Sequence, residues 1–415
     1  MPALLCLIMA LCAPPRTYEL RNGYWLTPAG FELRTTWVAN GRITLHKPVQ
    51  IDSVIDLQHG YVTPPFGEAH NHNMEFSTPA RTDSVIAVYL RDGVFYVKNP
   101  GIVTRGRDSM VTRVNKPNSV DAIFSLGLLT ATGGHPTRLW KRNVERGGMT
   151  IADGDGGFMW IIDRRADLDR KFPRLLAQRP DFIKTVLVFS EEYEQRRRDP
   201  SDSDARGLDP ALLPAIVRRA HAAGLRVSSH VESAADFHVA VAAGVDEINH
   251  IPGFRGNEQN QIPRPEVFQI APADARRAAA QNIVVVTTLG GIGSVPPSGP
   301  DSLRRRAFDN LARHNLRVLR AARVRLALGS DNYRDDSTRE ANYLNELGVF
   351  SNMELLRLWS EATPRAIFPK RRVGCLKEGC EASFQVFAAS PAADFANLEA
   401  AVWRMKDGYI LPGVN

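Results

Sequence analysis

The 415-residue sequence predicts an α/β fold: a closed eight-stranded (β/α)8 barrel of the TIM type, with a small β domain drawn from both chain ends. Three observations predict it. Short apolar, β-branched runs alternate with helical patterns through the middle of the chain. Strand-like stretches without helical periodicity occur at both ends. Polar residues able to carry chemistry fall at the ends of the central strands, where such barrels place their functional groups.

The elements follow in order. The opening MPALLCLIMALCAPPR is a short apolar stretch that ends in small residues before Pro14 and Pro15. It is similar to the apolar and cleavage regions of a secretory signal, lacks the usual positive start, and is too short to span a bilayer. Residues 1–16 are therefore expected to be a signal peptide and the protein to be exported, periplasmic or secreted. The alternative is a cytoplasmic protein whose start is mis-assigned or forms a buried strand. From Tyr18 to about Val62 the text alternates, and Asn40-Gly41 marks a hairpin. A matching β-like text returns in ASFQVFAAS and AVWRMKDGYIL, with a turn at Lys406-Asp407-Gly408.

Between the ends, FIKTVLVF (182–189) reads as a buried parallel strand. Asp209 can cap the next helix and Pro210 suits its first position. Leu212, Leu213, Ile216, Val217 and Ala220 form its apolar stripe, and Gly224 ends it. Strand LRVSSHV, helix SAADFHVAVAAG, strand VDEINHI, a helix around ADARRAAAQ, strand IVVVTTL, helix LRRRAFDNLARHNLRVLRAA and strand RLALGSD complete the run. Earlier strands near 66–72, 94–98 and 122–130 are less sharply delimited.

Apolar content of 44% and charged content of 23% are those of an ordinary globular protein. The net charge of +7 is diffuse, and no basic run is interleaved with aromatics, so no nucleic-acid partner is predicted. The expected partner is a small-molecule substrate; a homo-oligomer is compatible with the sequence, and no membrane-spanning segment is expected. Of four cysteines, Cys6 and Cys12 lie in the leader. Cys375 and Cys380 flank a turn-like Leu-Lys-Glu-Gly between stretches that read as strands, and are either a disulfide or two free thiols. There is no second pair for a cysteine-based zinc site.

In FGEAHNHN (66–73), His70 and His72 would share one face of an extended strand. His230 ends LRVSSH, His250 ends VDEINH and Asp331 ends RLALGSD. Neutral imidazoles with a carboxylate are ligands for Zn2+ or a similar divalent ion. Lys184 sits inside an apolar strand, where an unpaired ammonium is costly. A neutral amine could react with CO2 to give a carbamate that bridges two cations; otherwise the side chain reaches solvent by extension. His221, His238 and His314 in helical patterns, and His46 and His59 in the β-like ends, read as surface or packing residues. His135, in TATGGHP, either faces substrate or belongs to a plain turn. The charged segment EEYEQRRRDPSDSDARG (191–207) reads as a lid or as a solvated run.

These segments resemble the amidohydrolase superfamily, and within it the imidazolonepropionase-like and Xaa-Pro dipeptidase-like members. TPPFGEAHNHN, DFIKTVLVFSEEY, LRVSSHVES, DEINHIPG and LALGSDNY occur in the family's order. SNMELLRLWSEATPRAIF, RRVGCLKEGCEASFQVF and MKDGYIL are similar to its closing helix and β-sandwich strands, so the likeness covers residues 18–415. It implies a distorted barrel over 65–365 and a discontinuous β-sandwich of 17–64 and 366–415. It implies that His70 and His72 hold one metal, that carboxylated Lys184 bridges two Zn2+, and that His230 and His250 hold the second. Asp331 would ligate the first and act as base. The chain departs from the family at Pro-Phe-Gly-Glu, where Glu68 replaces an Asp, and at Cys380, where a polar residue is common.

The implied reaction is hydrolysis of a carbon–nitrogen bond, amide, peptide-like or cyclic, by a metal-bound hydroxide. Tyr193 or His135 would donate to the developing oxyanion. The alternatives are a mononuclear deaminase or imidazolone-type hydrolase and a non-catalytic metal-stabilised protein. Lys184 within its strand favours two metals, and Asp331 argues against a purely structural site.

Overall fold

A computed structural model describes residues 16–74, 78–101, 107–199, 204–255 and 263–412. The leader-like residues 1–15, with Cys6 and Cys12, lie outside the described residues.

The middle of the chain forms two parallel sheets. Seven strands run in the order Met159–Ile161, Leu128–Thr130, Ile183–Val186, Val227–His230, Glu247–Asn249, Val284–Val286 and Arg325–Ala327. Phe66–Glu68, Val94–Asn99 and Asp121–Phe124 form the second sheet. Every pairing in both is parallel. Backbone bonds link the sheets on both sides: Ala69 N–H donates to the Leu328 carbonyl at 2.8 Å and Asp181 N–H to the Phe124 carbonyl at 2.9 Å. Ile183–Val186, Val227–His230 and Val284–Val286 are buried throughout, which is why they read as apolar or small-residue runs broken only by Lys184 and His230.

The intervening helices match the sequence closely. Asp209 accepts from Ala211 N–H at 2.9 Å ahead of helix Leu213–Ala222, whose Leu213, Ile216, Val217 and Ala220 are buried. Ala234–Ala243 starts at its Ser233 cap, and Pro272–Ala280 and Ser302–Ala321 follow. The less sharply read segments differ in detail. The expected strand at 122–130 is split, because Leu126 and Gly127 take positive φ of 56° and 92° and turn the chain between two short strands. The strand before the first two histidines stops at Glu68, so His70 and His72 lie beyond it instead of within it.

Both chain ends enter one eight-stranded sheet, with Tyr61–Thr63 from the start pairing antiparallel with Phe384–Phe387 from the end. The Asn40-Gly41 turn has φ of 51° and 71°, and Asp407-Gly408 has 52° and 82°; both values suit the left-handed positions of a tight hairpin. Cys375 and Cys380 are disulfide-bonded, with Cα atoms 6.0 Å apart. The segment before Cys375 is irregular, so the bridge closes a turn and does not join two paired strands. His46, His59, His221, His238 and His314 are all exposed, as read. Among the described residues, no helix is long and apolar enough to cross a membrane.

Candidate metal centre

The loop after Phe66–Glu68 is fastened to the loop after Arg325–Ala327. Glu68, fully buried, accepts at one oxygen from His70 N–H (3.1 Å) and Ser330 N–H (3.0 Å). Asp331 N–H donates to the His70 carbonyl at 2.8 Å, and His72 N–H to the Asn332 carbonyl at 2.9 Å. The approach is close enough to require glycine: a Cβ on Gly329 would lie 2.7 Å from His70 Cβ. As a result, Nε2 of His70 and Nε2 of His72 lie 3.3 and 3.1 Å from the same oxygen, Oδ1 of Asp331.

Lys184 points inward from Ile183–Val186 and is 3% exposed, so the extended, solvent-reaching alternative does not hold. Its amine donates to the Asn249 side-chain carbonyl. Asn249 in turn donates to Glu247 at 2.8 Å, and Glu247 accepts from Lys98 at 2.5 Å, a buried polar chain beneath the site. His230 ends its strand with Nε2 3.0 Å from Glu232. His250 lies 2.7 Å from the Thr288 hydroxyl through Nδ1, and that nitrogen is 3.8 Å from Asp331 Oδ2. Ring centroids are 4.7 Å apart for His70 and His250 and 4.4 Å for His230 and His250.

One cavity is lined by His70, His72, Lys184, His230, His250, Asp331 and His135. Burial, with Lys184 adding to it, pushes the His70 imidazole down to about 3. Burial likewise holds His230 and His250 well below the ordinary histidine range. Burial alone would raise the Asp331 carboxyl, but His250, His70 and His72 outweigh it and keep it well below the usual range. The outcome is neutral rings with available lone pairs beside an ionised carboxylate. Ligand atoms of His70, His72 and Asp331 all lie within 4.8 Å of one another, so these three could hold a metal ion. The contacts of His230 with Glu232 and of His250 with Thr288 each occupy one ring nitrogen and leave the other for a ligand, as metal-site histidines require.

His135 reaches the cavity from a loop held by Asp204 and Arg206, from the end of the charged segment. Its N–H donates to the Arg206 carbonyl at 2.8 Å, and its Nδ1 lies 3.5 Å from Asp204. The structure does not bring Tyr193 there. Ser190 is bound through N–H (2.7 Å) and hydroxyl (2.5 Å) to Asp236, which turns the chain outward. Tyr193 therefore starts the short helix Tyr193–Arg196, half-buried and facing the charges of Asp209 and Arg197.

Among the lining residues that sequence reasoning missed, two carry hydrogen-bonding groups, Arg255 and Tyr333. Tyr333 stacks on His72 with centroids 5.1 Å apart, and its place two residues after Asp331 was the available signal. Arg255 left none, because it lies in a loop five residues beyond His250.

No protein-family model matches the sequence, and no curated protein sequence does. Solved structures do match over nearly the whole chain. An amidohydrolase is 20% identical, covers 96% of this chain and 100% of its own, and superposes with a TM-score of 0.70. A Xaa-Pro dipeptidase with bound methionine is 16% identical at TM-score 0.70, covering 96% and 100%. A. niger ochratoxinase is 17% identical at TM-score 0.73, covering 97% and 98%. The chain thus has the fold of the amidohydrolases and Xaa-Pro dipeptidases.

Proposed function

We propose that this protein is a metal-dependent hydrolase of small molecules that cleaves a carbon–nitrogen bond of the amide, peptide-like or cyclic amide kind. The observation that carries the reading is the convergence of His70 and His72 on one oxygen of Asp331, in a cavity also lined by Lys184, His230 and His250. The structural neighbours named as a dipeptidase and an amidohydrolase support it. In this reading the two linked parallel sheets are a closed barrel over 65–365, and the chain-end sheet is a subdomain of 17–64 and 366–415. Export, with loss of residues 1–16, fits the Cys375–Cys380 bridge, which persists in oxidising compartments.

His70, His72 and Asp331 would hold one Zn2+, His230 and His250 a second, and carboxylated Lys184 would bridge them. When bound, such ions lower the pKa of water towards neutrality and polarise a carbonyl oxygen. Lys184 suits carboxylation by its place: it is buried within its strand beside the other candidate ligands, with its amine against the Asn249 side-chain carbonyl, and a neutral amine there would be the form that adds CO2. Asp331, ionised and a quarter exposed to the cavity, takes the proton from the attacking water and passes it to the leaving nitrogen. His135 would donate to the oxyanion through Nε2. Its Nδ1 is turned to Asp204 and its Nε2 lies 3.5 Å from the Arg255 guanidinium, which holds the ring in the cavity.

The test is elemental analysis of protein prepared with bicarbonate, alongside Lys184→Ala. Close to two metals per chain, with loss of metal and activity in Lys184→Ala, is the expected result. Close to one favours the mononuclear deaminase or imidazolone-type alternative, which the His70, His72 and Asp331 group alone could serve. None would overturn the reading.

A further inference from the structure

We propose that Glu232 and Arg255 form an outer pair that holds His230 as a ligand of the second ion, with Arg255 acting as a positioning residue through Glu232. This rests on the two-ion reading above.

One carboxylate oxygen carries the arrangement. Oε1 of Glu232 lies 3.0 Å from Nε2 of His230 and 2.6 Å from Nε of Arg255. An ionised carboxylate only accepts, so Nε2 of a neutral His230 carries the proton and Nδ1 keeps the lone pair a metal needs. The Glu232 main chain is placed independently, since its N–H donates to Asp236 at 3.0 Å. Arg255 sets the direction of the Glu232 side chain, and through it the tautomer and tilt of the His230 ring, while its Nη2 also lies 3.5 Å from Nε2 of His135.

Arg255 also bears on the other ligand of that ion. Its guanidinium lies 5.0 Å from the Phe254 ring centroid, and Phe254 stacks on His250 with centroids 3.9 Å apart and planes 10° from parallel. The pair therefore touches both candidate ligands of the second ion, His230 through hydrogen bonds and His250 through a stacked ring. His70, His72 and Asp331 are fastened separately, by Glu68 and the loop-to-loop backbone bonds. Arg255 and Glu232 are 22% and 9% exposed at their side chains, so water competes poorly for the shared oxygen.

The experiment is chelator competition with Zn2+ in bicarbonate buffer, which reads the affinity of each of two ions. Arg255→Ala is expected to weaken one of the two ions by about 10-fold, within the range typical of lost outer partners, and to leave the other unchanged. The melting temperature of the metal-free protein should not move. Arg255→Lys should restore only part of the loss, because a point-charge ammonium lacks the planar fork that fixes the carboxylate. Glu232→Gln, which keeps an oxygen acceptor, should recover most of what Glu232→Ala loses. Should Arg255→Ala not fold, Arg255→Lys and Glu232→Gln still decide. Equal weakening of both ions, or no weakening of either, overturns the proposal and leaves the two-ion reading standing. A wild-type protein that takes fewer than two ions overturns that reading, and the pair then has no second ion to position.

Discussion

Asp331 and His250 hold their backbones at φ of 47° and 78°, in the left-handed region that bulky side chains rarely adopt. Such strain persists only where surrounding bonds over-determine the conformation, and here the Asp331 N–H is fixed to the His70 carbonyl and the His250 N–H to the Val286 carbonyl. Both side chains are thereby turned into the cavity at a strand end. Asp331→Asn preserves size and should preserve the fold. Steady-state kinetics with metal content measured in parallel should show kcat lower by about 10²- to 10⁴-fold, the usual worth of a general base. Near-wild-type turnover at full metal content would mean that another group takes the proton. His70, His72, His230, His250 and Asp331 were legible because each stands at or near a strand end, a place the sequence marks by apolar runs, and Lys184 because a cation inside an apolar strand is anomalous. Arg255 and Tyr333 were not, since irregular loops orient side chains only through tertiary contacts. Tyr193 misled for a related reason: Ser190 is tied to Asp236, and Tyr193 beyond it is not among the residues that line the cavity.

At the level of elements, Asp236 joins two strand ends. It accepts from Phe189 N–H (2.9 Å) and from Ser190, past the Lys184 strand, and from Glu232 and Ser233 N–H (3.0 and 3.1 Å), past the His230 strand. It also completes the capping box of helix Ala234–Ala243 with Ser233. Asp236→Ala leaves several buried N–H groups unpaired and should cost about 2–4 kcal/mol by urea unfolding. In the sequence this residue is one polar letter in SAADFHVA, and nothing there shows that a helix-capping carboxylate also serves the preceding loop. The Cys375–Cys380 bridge is a second constraint on an irregular stretch. It closes a loop of few residues, so replacing both cysteines by serine should lower stability by about 2 kcal/mol and leave metal content unchanged. The sequence offered the pair but not its redox state, because the text before Cys375 reads as a strand and forms none.

For the molecule as a whole, stability should depend on pH from two opposite sides. Burial pushes the Glu340 carboxyl, which accepts from Gly290 N–H, up to about 7. Between its unfolded value near 4.5 and about 7, the folded protein keeps a proton that the unfolded chain sheds. The stability this group supports is complete below the unfolded value and is lost as pH rises through about 7. That loss is roughly 3 kcal/mol by pH 8, and Glu340→Gln should flatten it in urea titrations at pH 5 and 8. His70 acts in the other direction. Its pKa falls from 6.5 to about 3, so the metal-free fold loses stability as pH drops across that window. The sequence showed the α/β order and the contribution of both ends because periodicity and turn residues are local properties. It did not show that all the terminal strands enter a single sheet, since pairing across hundreds of residues leaves no local trace.

That long-range pairing bears on how the protein is made. Tyr61–Thr63 offers its free edge to Phe384–Phe387, which leaves the ribosome about 320 residues later. At roughly 5–20 residues per second, the edge stays open for about 16–64 s in each round of translation. An unpaired edge of that duration is a template for other chains. Truncations that remove the last strands should therefore yield inclusion bodies in place of a shortened soluble product, and slower translation of the final segment should lower the soluble yield.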